Sequence, residues 1–231
     1  MIDVAFEPRI DLDAVYAGTS QFQPAFPKKT DIWEATFGFQ LDVGNEPTNT
    51  SGSSKIGVRF DSTPPQHVLQ CRVNGFTFSR VSPYENWMQV REAAQQHWNS
   101  FATALGHRRV TRLAVRYINA LNFPLPIADF SEYLVAAPRV PQELSQSVSG
   151  FLQRVVIEAA APKSHTAVVT QAIENFVPGT LFTVVFDIDV FQNVDLDLRT
   201  DELWAILDNL RDAKNEIFFS HLSEKAVELF A

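Results

Sequence analysis

Cysteine and glycine are both scarce in this chain of 231 residues. The sequence contains one cysteine, Cys71, so no internal disulfide can form and a disulfide-stapled scaffold is excluded. Only 9 glycines are present, which argues against the glycine-rich loops that cradle phosphate groups. No GxSxG, Walker or GxGxxG motif occurs. These absences argue against the enzyme classes that such motifs mark.

Positive charge and long apolar runs are also lacking. The chain has 19 Lys and Arg against 27 Asp and Glu, a net charge of -8, so we do not expect nucleic acid as a partner. No stretch approaches the roughly 20 apolar residues that a membrane helix needs. The N-terminus carries Asp3 and Glu7 where a secretory signal would have a basic segment followed by an apolar one. We therefore expect a cytoplasmic location and no contact with a membrane.

The histidines show no metal-binding pattern. Neither HExxH nor a zinc spacing of Cys and His occurs, and the five histidines are widely separated in sequence. They are His67, His97, His107, His165 and His221. We therefore expect no metal site, and nothing in the sequence calls for a cofactor.

Aromatic residues are plentiful, and they follow a pattern that occurs twice. A phenylalanine-rich strand containing Phe76 and Phe78 runs into an amphipathic helix that begins at Ser82-Pro83-Tyr84-Glu85 and ends near Gly106. Trp87 and Trp98 lie on its apolar face, where we expect core packing. The strand from Leu181 to Phe191 likewise runs into a helix that begins at Thr200 or Asp201 and extends to about Phe230.

These elements predict an α+β fold in a single domain of two similar halves, residues 1–108 and 109–231. Each half is predicted as a strand, a short helix, three strands and a long helix. The resulting antiparallel sheet has about eight strands, with both long helices packed on one face. By topology this resembles the TATA-binding-protein-like and helix-grip folds. Two separate α+β domains are the alternative architecture.

Two segments of the second half resemble a known family. RLAVRYINAL at Arg112–Leu121 and FDIDVF at Phe186–Phe191, together with the closing helix, are similar to a sporadically distributed family of uncharacterised bacterial proteins of about this length. The resemblance covers nearly the whole chain, although the N-terminus departs from the family pattern. It implies the same order of strands and helices and a bacterial cytosolic setting, and it implies no activity.

The candidate site residues are polar residues within the predicted strands. Asp187 and Asp189 are two positions apart, which projects both carboxylates from the same sheet face about 7 Å apart. Strand alternation also allows four arginines to line that face, where they would form ion pairs with the aspartates or a mixed-charge ligand surface. They are Arg59, Arg72, Arg112 and Arg116. Whether these residues share a face depends on strand register, which the sequence leaves open.

The function that the sequence favours is that of a noncatalytic module, which binds a protein or a small ligand through this polar sheet face. One alternative is an enzyme of helix-grip type, or a small-ligand-binding protein, with a cavity lined by Asp and Arg. Another is a regulator of a neighbouring gene product. A free sheet edge also allows pairing with a second copy of the chain.

Overall fold

The computed structural model describes residues 1–40, 48–64, 66–81, 84, 86–125, 129–139, 141, 143, 150–160, 164–177 and 181–229. These ranges contain nine β-strands, four α-helices and two short 3-10 helices, at Ser20–Phe22 and Phe130–Glu132. The strands are β1 (Ile2–Glu7), β2 (Lys28–Gln40), β3 (Thr48–Asp61), β4 (His67–Arg72), β5 (Gly75–Arg80), β6 (Arg109–Pro124), β7 (Leu152–Glu158), β8 (Thr166–Val177) and β9 (Leu181–Asp197). The α-helices are α1 (Leu12–Thr19), α2 (Trp87–Ala102), α3 (Glu202–Ser220) and α4 (Glu224–Leu229).

The nine strands form one large antiparallel sheet in the order β2-β3-β4-β5-β1-β6-β9-β8-β7. This confirms the predicted α+β class with a large antiparallel sheet. The structure has nine strands where about eight were predicted, because Val68 to Arg80, which the sequence allows as one strand or a bent pair, forms the pair β4 and β5. Arg72 pairs with Gly75 across the turn at Val73 and Asn74, so the first half carries four strands after its short helix.

The chain divides into two compact units. Unit 1 comprises Met1–Arg112 and Val194–Trp204, and unit 2 comprises Leu113–Asn193 and Ala205–Ala231. Strands β6 and β9 therefore contribute residues to both units.

In unit 1, strand alternation separates an apolar face from a polar one. Phe60, Leu69, Phe78 and Ile2 occupy successive paired positions on β3, β4, β5 and β1, and all four side chains are buried. Helix α2 covers this face, with the Trp98 ring 5.6 Å from that of Phe76. The tryptophan and phenylalanine side chains thus form a core, as the sequence predicted.

Helix α2 begins at Trp87, later than predicted. Asn86 has an extended backbone, and its side chain accepts a hydrogen bond from the backbone N–H of Gln89 at 3.0 Å, which caps the helix. Ser82, Pro83 and Glu85 of the predicted cap lie outside the described residues. The helix is 16 residues long and ends at Ala102. Gly106, where the end was predicted, adopts a φ of 60° in the turn that follows.

In unit 2, α3 packs on the apolar face of β9, where the rings of Phe218 and Phe186 stack 5.5 Å apart. The predicted closing helix is interrupted. Helix α3 ends at Ser220, and α4 begins at Glu224. The Ser223 hydroxyl accepts a hydrogen bond from the N–H of Ala226 at the start of α4. Near this break Leu222 pairs with Leu134, a tertiary contact that periodicity does not reveal. Phe230 lies outside the described residues.

Candidate functional site

The polar face of unit 1 is established by strand register. Arg59, Gln70, Thr77 and Asp3 occupy successive paired positions on β3, β4, β5 and β1. They alternate with the buried apolar row that α2 covers, so their side chains project from the opposite face. This face carries three of the predicted arginines, Arg59, Arg72 and Arg112, in two separate groups.

The first group is the Asp3 cluster, which comprises Asp3, Arg72, Arg112 and Thr77. The Arg72 guanidinium donates to one Asp3 carboxylate oxygen at 2.8 Å, and the Thr77 hydroxyl donates to the same oxygen at 2.6 Å. The Arg112 guanidinium lies 3.4 Å from the other oxygen. Two guanidinium groups therefore share one carboxylate.

The Asp3 cluster is partly open to solvent. The side chains of Arg72 and Arg112 are 24% and 30% exposed, and that of Asp3 is 15% exposed. Strand register brings Asp3 to both arginines, a partner that was not predicted from the sequence. The one sign of this in the sequence is that Asp3 lies between the apolar residues Ile2 and Val4, at a polar position of an alternating strand.

Arg59 forms a separate pair on its own strand. Its guanidinium donates to the Asp61 carboxylate at 2.6 Å, two residues along β3. These hydrogen bonds hold the pKa of Asp61 below its usual value, although burial opposes the shift. The partner of Arg59 is thus a carboxylate on the same face of its own strand.

In unit 2, Asp187 and Asp189 project from the same face of β9. They alternate along the strand with Phe186 and Ile188, whose buried side chains project from the other face. Arg116 donates two hydrogen bonds to Asp187, from Nε at 2.8 Å and from Nη2 at 2.5 Å. This hydrogen bonding raises the pKa of Arg116, and the charge of Asp189 adds to the shift. Of the ion pairs that the sequence suggested, Arg116 with Asp187 is present.

Unit 1 also contains a cleft of about 600 Å³ that the sequence did not predict. We call it the arginine cleft. Its lining residues come from the end of α2, the loop that leads to β6, the first residue of β6, the end of β9 and the two residues after β9. They are Ala102, Thr103, Gly106, His107, Arg108, Arg109, Asp197, Leu198 and Arg199.

The charges of the arginine cleft are only partly compensated. The Arg109 guanidinium donates to Asp195 at 2.6 Å and to Asp197 at 2.5 Å. Arg108 points to the backbone carbonyl groups of Pro8 and Arg9 at 3.4 Å, and these neutral acceptors leave its charge uncompensated. Adjacent arginines in the sequence are the one local sign of this cleft, since its walls are about 90 residues apart along the chain.

Chemistry at a metal or a thiol finds no support in the part of the chain that the structure describes. No group of three or more His, Cys, Asp or Glu side chains there could hold a metal ion. Cys71 is fully buried, and burial raises the pKa of its thiol far above the usual value.

The chain matches no protein-family model, no curated protein and no solved structure. Across the described residues, every helix is too short or too polar to span a lipid bilayer.

Proposed function

We propose that this protein is a noncatalytic binding module, and that its polar sheet face contacts a carboxylate-bearing partner through the Asp3 cluster. The observation that carries the proposal is the sharing of one carboxylate by two partly exposed guanidinium groups. A carboxylate of a partner would accept charge-assisted hydrogen bonds from the exposed parts of these guanidinium groups.

The geometry of the Asp3 cluster favours such a ligand. A guanidinium group offers several N–H donors in a rigid plane, so donors remain for a second acceptor when some are bonded to Asp3. Thr77 holds the Asp3 carboxylate, and Asp3 in turn holds Arg72 in place before binding, which lowers the entropy cost of forming the complex. An acidic segment of another protein is therefore the partner class that we favour.

A glutamate-rich peptide tests this proposal. We expect wild-type protein to bind it in a salt-sensitive way by isothermal titration calorimetry. The double variant Arg72→Gln/Arg112→Gln should bind about tenfold or more weakly, because it lacks both charge-assisted donors. Arg199→Gln is the matched control, since it removes a guanidinium from the arginine cleft and leaves the Asp3 cluster intact. Equal affinity of the double variant and the wild type would contradict the proposal.

The second candidate function is that of a small-ligand-binding protein, or a helix-grip-type enzyme, with an Asp/Arg-lined cavity. The arginine cleft favours it, because three arginines and Asp197 line a space large enough for a small anion. Inorganic phosphate and succinate serve as probes in thermal unfolding. This candidate is supported if an anion raises the unfolding temperature of the wild type and of Arg72→Gln/Arg112→Gln, but not that of Arg199→Gln. An unfolding temperature that neither anion raises counts against it.

The proposal includes an internal duplication on a TATA-binding-protein-like or helix-grip plan, in a cytosolic bacterial protein of the family that the sequence resembles. Its support is that the first strand of each sequence half neighbours the last strand of that half, β1 beside β5 and β6 beside β9. In each half a long helix, α2 or α3, then follows. An experimental structure in which β1, β5 and α2 fail to superpose on β6, β9 and α3 would refute the duplication.

A further inference from the structure

Strand β7 ends the sheet in unit 2 and is unusually apolar for an edge strand. Among the described residues, β8 is the only strand that pairs with it. Four of its seven side chains are apolar and exposed: Leu152 at 75%, Val155 at 40%, Val156 at 51% and Ile157 at 37%. Edge strands usually carry charges, proline or bulges that prevent another strand from pairing with them. Most positions of β7 carry apolar side chains in place of such protective features.

The hydrogen-bonding direction of β7 is set by its pairing with β8. The N–H of Ala159 donates to the carbonyl of His165 at 3.0 Å, and the carbonyl of Phe151 accepts from the N–H of Ile173 at 3.2 Å. In an antiparallel ladder, residues that bond to one neighbour alternate with residues that face the other way. The backbone groups of Leu152, Arg154, Val156 and Glu158 therefore point away from β8, toward the open edge.

We propose that this edge binds a second copy of the chain, with the two β7 strands antiparallel and related by a two-fold axis at Val156. This register places Val156 opposite Val156 of the second copy, and the outward backbone groups of the two residues bond to each other. Val155 then lies opposite Ile157 of the second copy, and the symmetry creates this apolar pair twice.

Charge selects this register over its neighbours. With the axis at Val156, Arg154 of each copy lies opposite Glu158 of the other, and both side chains are exposed and available. An axis at Arg154 would oppose two arginines, and an axis at Glu158 would oppose two glutamates. An axis at Val155 would set Leu152 against Glu158. Directly opposed charges of unlike sign stabilise a strand pair, and like charges destabilise it.

Charge reversal provides the test, with sedimentation velocity as the measurement. Wild-type protein should sediment as a dimer. In Arg154→Glu, a glutamate of one copy lies opposite a glutamate of the other at both ends of the strand pair. In Glu158→Arg, arginines lie opposite arginines in the same way. Each variant should therefore dimerise at least thirtyfold more weakly than the wild type, a loss of roughly 2 kcal/mol. Arg139→Glu makes the same charge change at an exposed residue outside β7 and should leave the dimer intact.

Mixing the two variants sharpens the test. In a heterodimer of Arg154→Glu with Glu158→Arg, both cross-strand pairs again have opposite charges, so an equimolar mixture should recover the dimer. The proposal is overturned by a wild-type monomer at high protein concentration, by variants that dimerise like the wild type, or by a mixture that stays monomeric. Circular dichroism spectra that match the wild type show that each variant is folded.

Discussion

Asp187 accepts two hydrogen bonds from Arg116, and its side chain is only 18% exposed. Removing Asp187 takes both of these hydrogen bonds from the partly buried Arg116. We therefore expect Asp187→Ala to lower the free energy of unfolding by about 1–3 kcal/mol in urea titrations.

The pair of Arg211 with Asp212 is the control for this experiment, because the Asp212 side chain is 67% exposed. Asp212→Ala should change the free energy of unfolding by less than about 0.5 kcal/mol, as is usual for surface pairs. An equally small effect of Asp187→Ala would show that the Arg116 pair contributes nothing measurable to folding.

Lys214 is a buried cation, 8% exposed, with its ammonium 3.9 Å from the centre of the Tyr117 ring. Burial, and next the charge of Arg211, lower the pKa of Lys214 from 10.5 to about 8. The folded state disfavours the charged amine. Below pH 8 the amine is charged in both the folded and the unfolded protein, so burying the charge lowers the free energy of unfolding by its full amount. This loss of stability disappears as the pH rises from about 8 to 10.5, where the folded protein releases this proton before the unfolded chain does.

We accordingly expect Lys214→Met to raise the free energy of unfolding at pH 7 by about 2 kcal/mol, since the lost cation–π contact offsets part of the gain. The difference from wild type should shrink between pH 8 and 10.5, as measured by urea unfolding at several pH values. If the difference in free energy of unfolding between the variant and the wild type stays constant from pH 8 to 10.5, burial of the Lys214 charge does not lower the stability of the folded protein.

At the scale of elements, Trp98 shows how α2 is held. Its side chain is fully buried, and its indole N–H donates to the carbonyl of Leu198 at 2.9 Å. Trp98→Phe removes this donor and leaves a space in the core. We expect a loss of about 2–3 kcal/mol of stability in urea titrations. Trp33→Phe on β2, where the tryptophan is 59% exposed, is the matched control and should cost little.

Most elements were predictable because local patterns specify them. Alternation identified the strands around Phe60 and Phe186, and the 3.6-residue period identified the buried face of α2. Element ends were less predictable, because Asn86 took the capping role and a tertiary contact of Leu222 accompanies the break after α3. These choices depend on contacts that a local pattern does not contain.

The candidate site was predictable only in part, since it depends on register. Alternation correctly placed Asp187 and Asp189 on one face, and Arg116 was correctly considered as a partner. The pairing of Asp3 with Arg72 joins residues 69 positions apart, and no periodicity encodes that distance. The arginine cleft likewise combines two distant segments, which makes it invisible to motif searches.

At the scale of the whole molecule, β6 and β9 each contribute residues to both units. A strand shared in this way cannot lose its structure in one unit without affecting the other. We therefore expect a single cooperative unfolding transition. The thiol of Cys71 reports on it, because it is the one cysteine of the chain and is fully buried in unit 1.

The measurement is alkylation of Cys71 at increasing urea concentrations, compared with circular dichroism. Asp187→Ala alters unit 2, yet it should shift the alkylation midpoint of Cys71 in unit 1 as far as the circular dichroism midpoint. Labelling that remains at the wild-type midpoint, while circular dichroism shifts, would mean that the units unfold independently.

The two edge strands of the sheet differ in chemistry. Strand β2 begins with the exposed charged residues Lys28, Lys29 and Asp31 and farther along exposes the aromatic residues Trp33 and Phe37, whereas β7 exposes mainly aliphatic side chains. A two-fold pairing consumes the same strand in both copies, so it is complete with two chains. The charges at the start of β2 disfavour strand addition along that part of the other edge. Association of this protein should therefore stop at a closed pair and not continue into filaments.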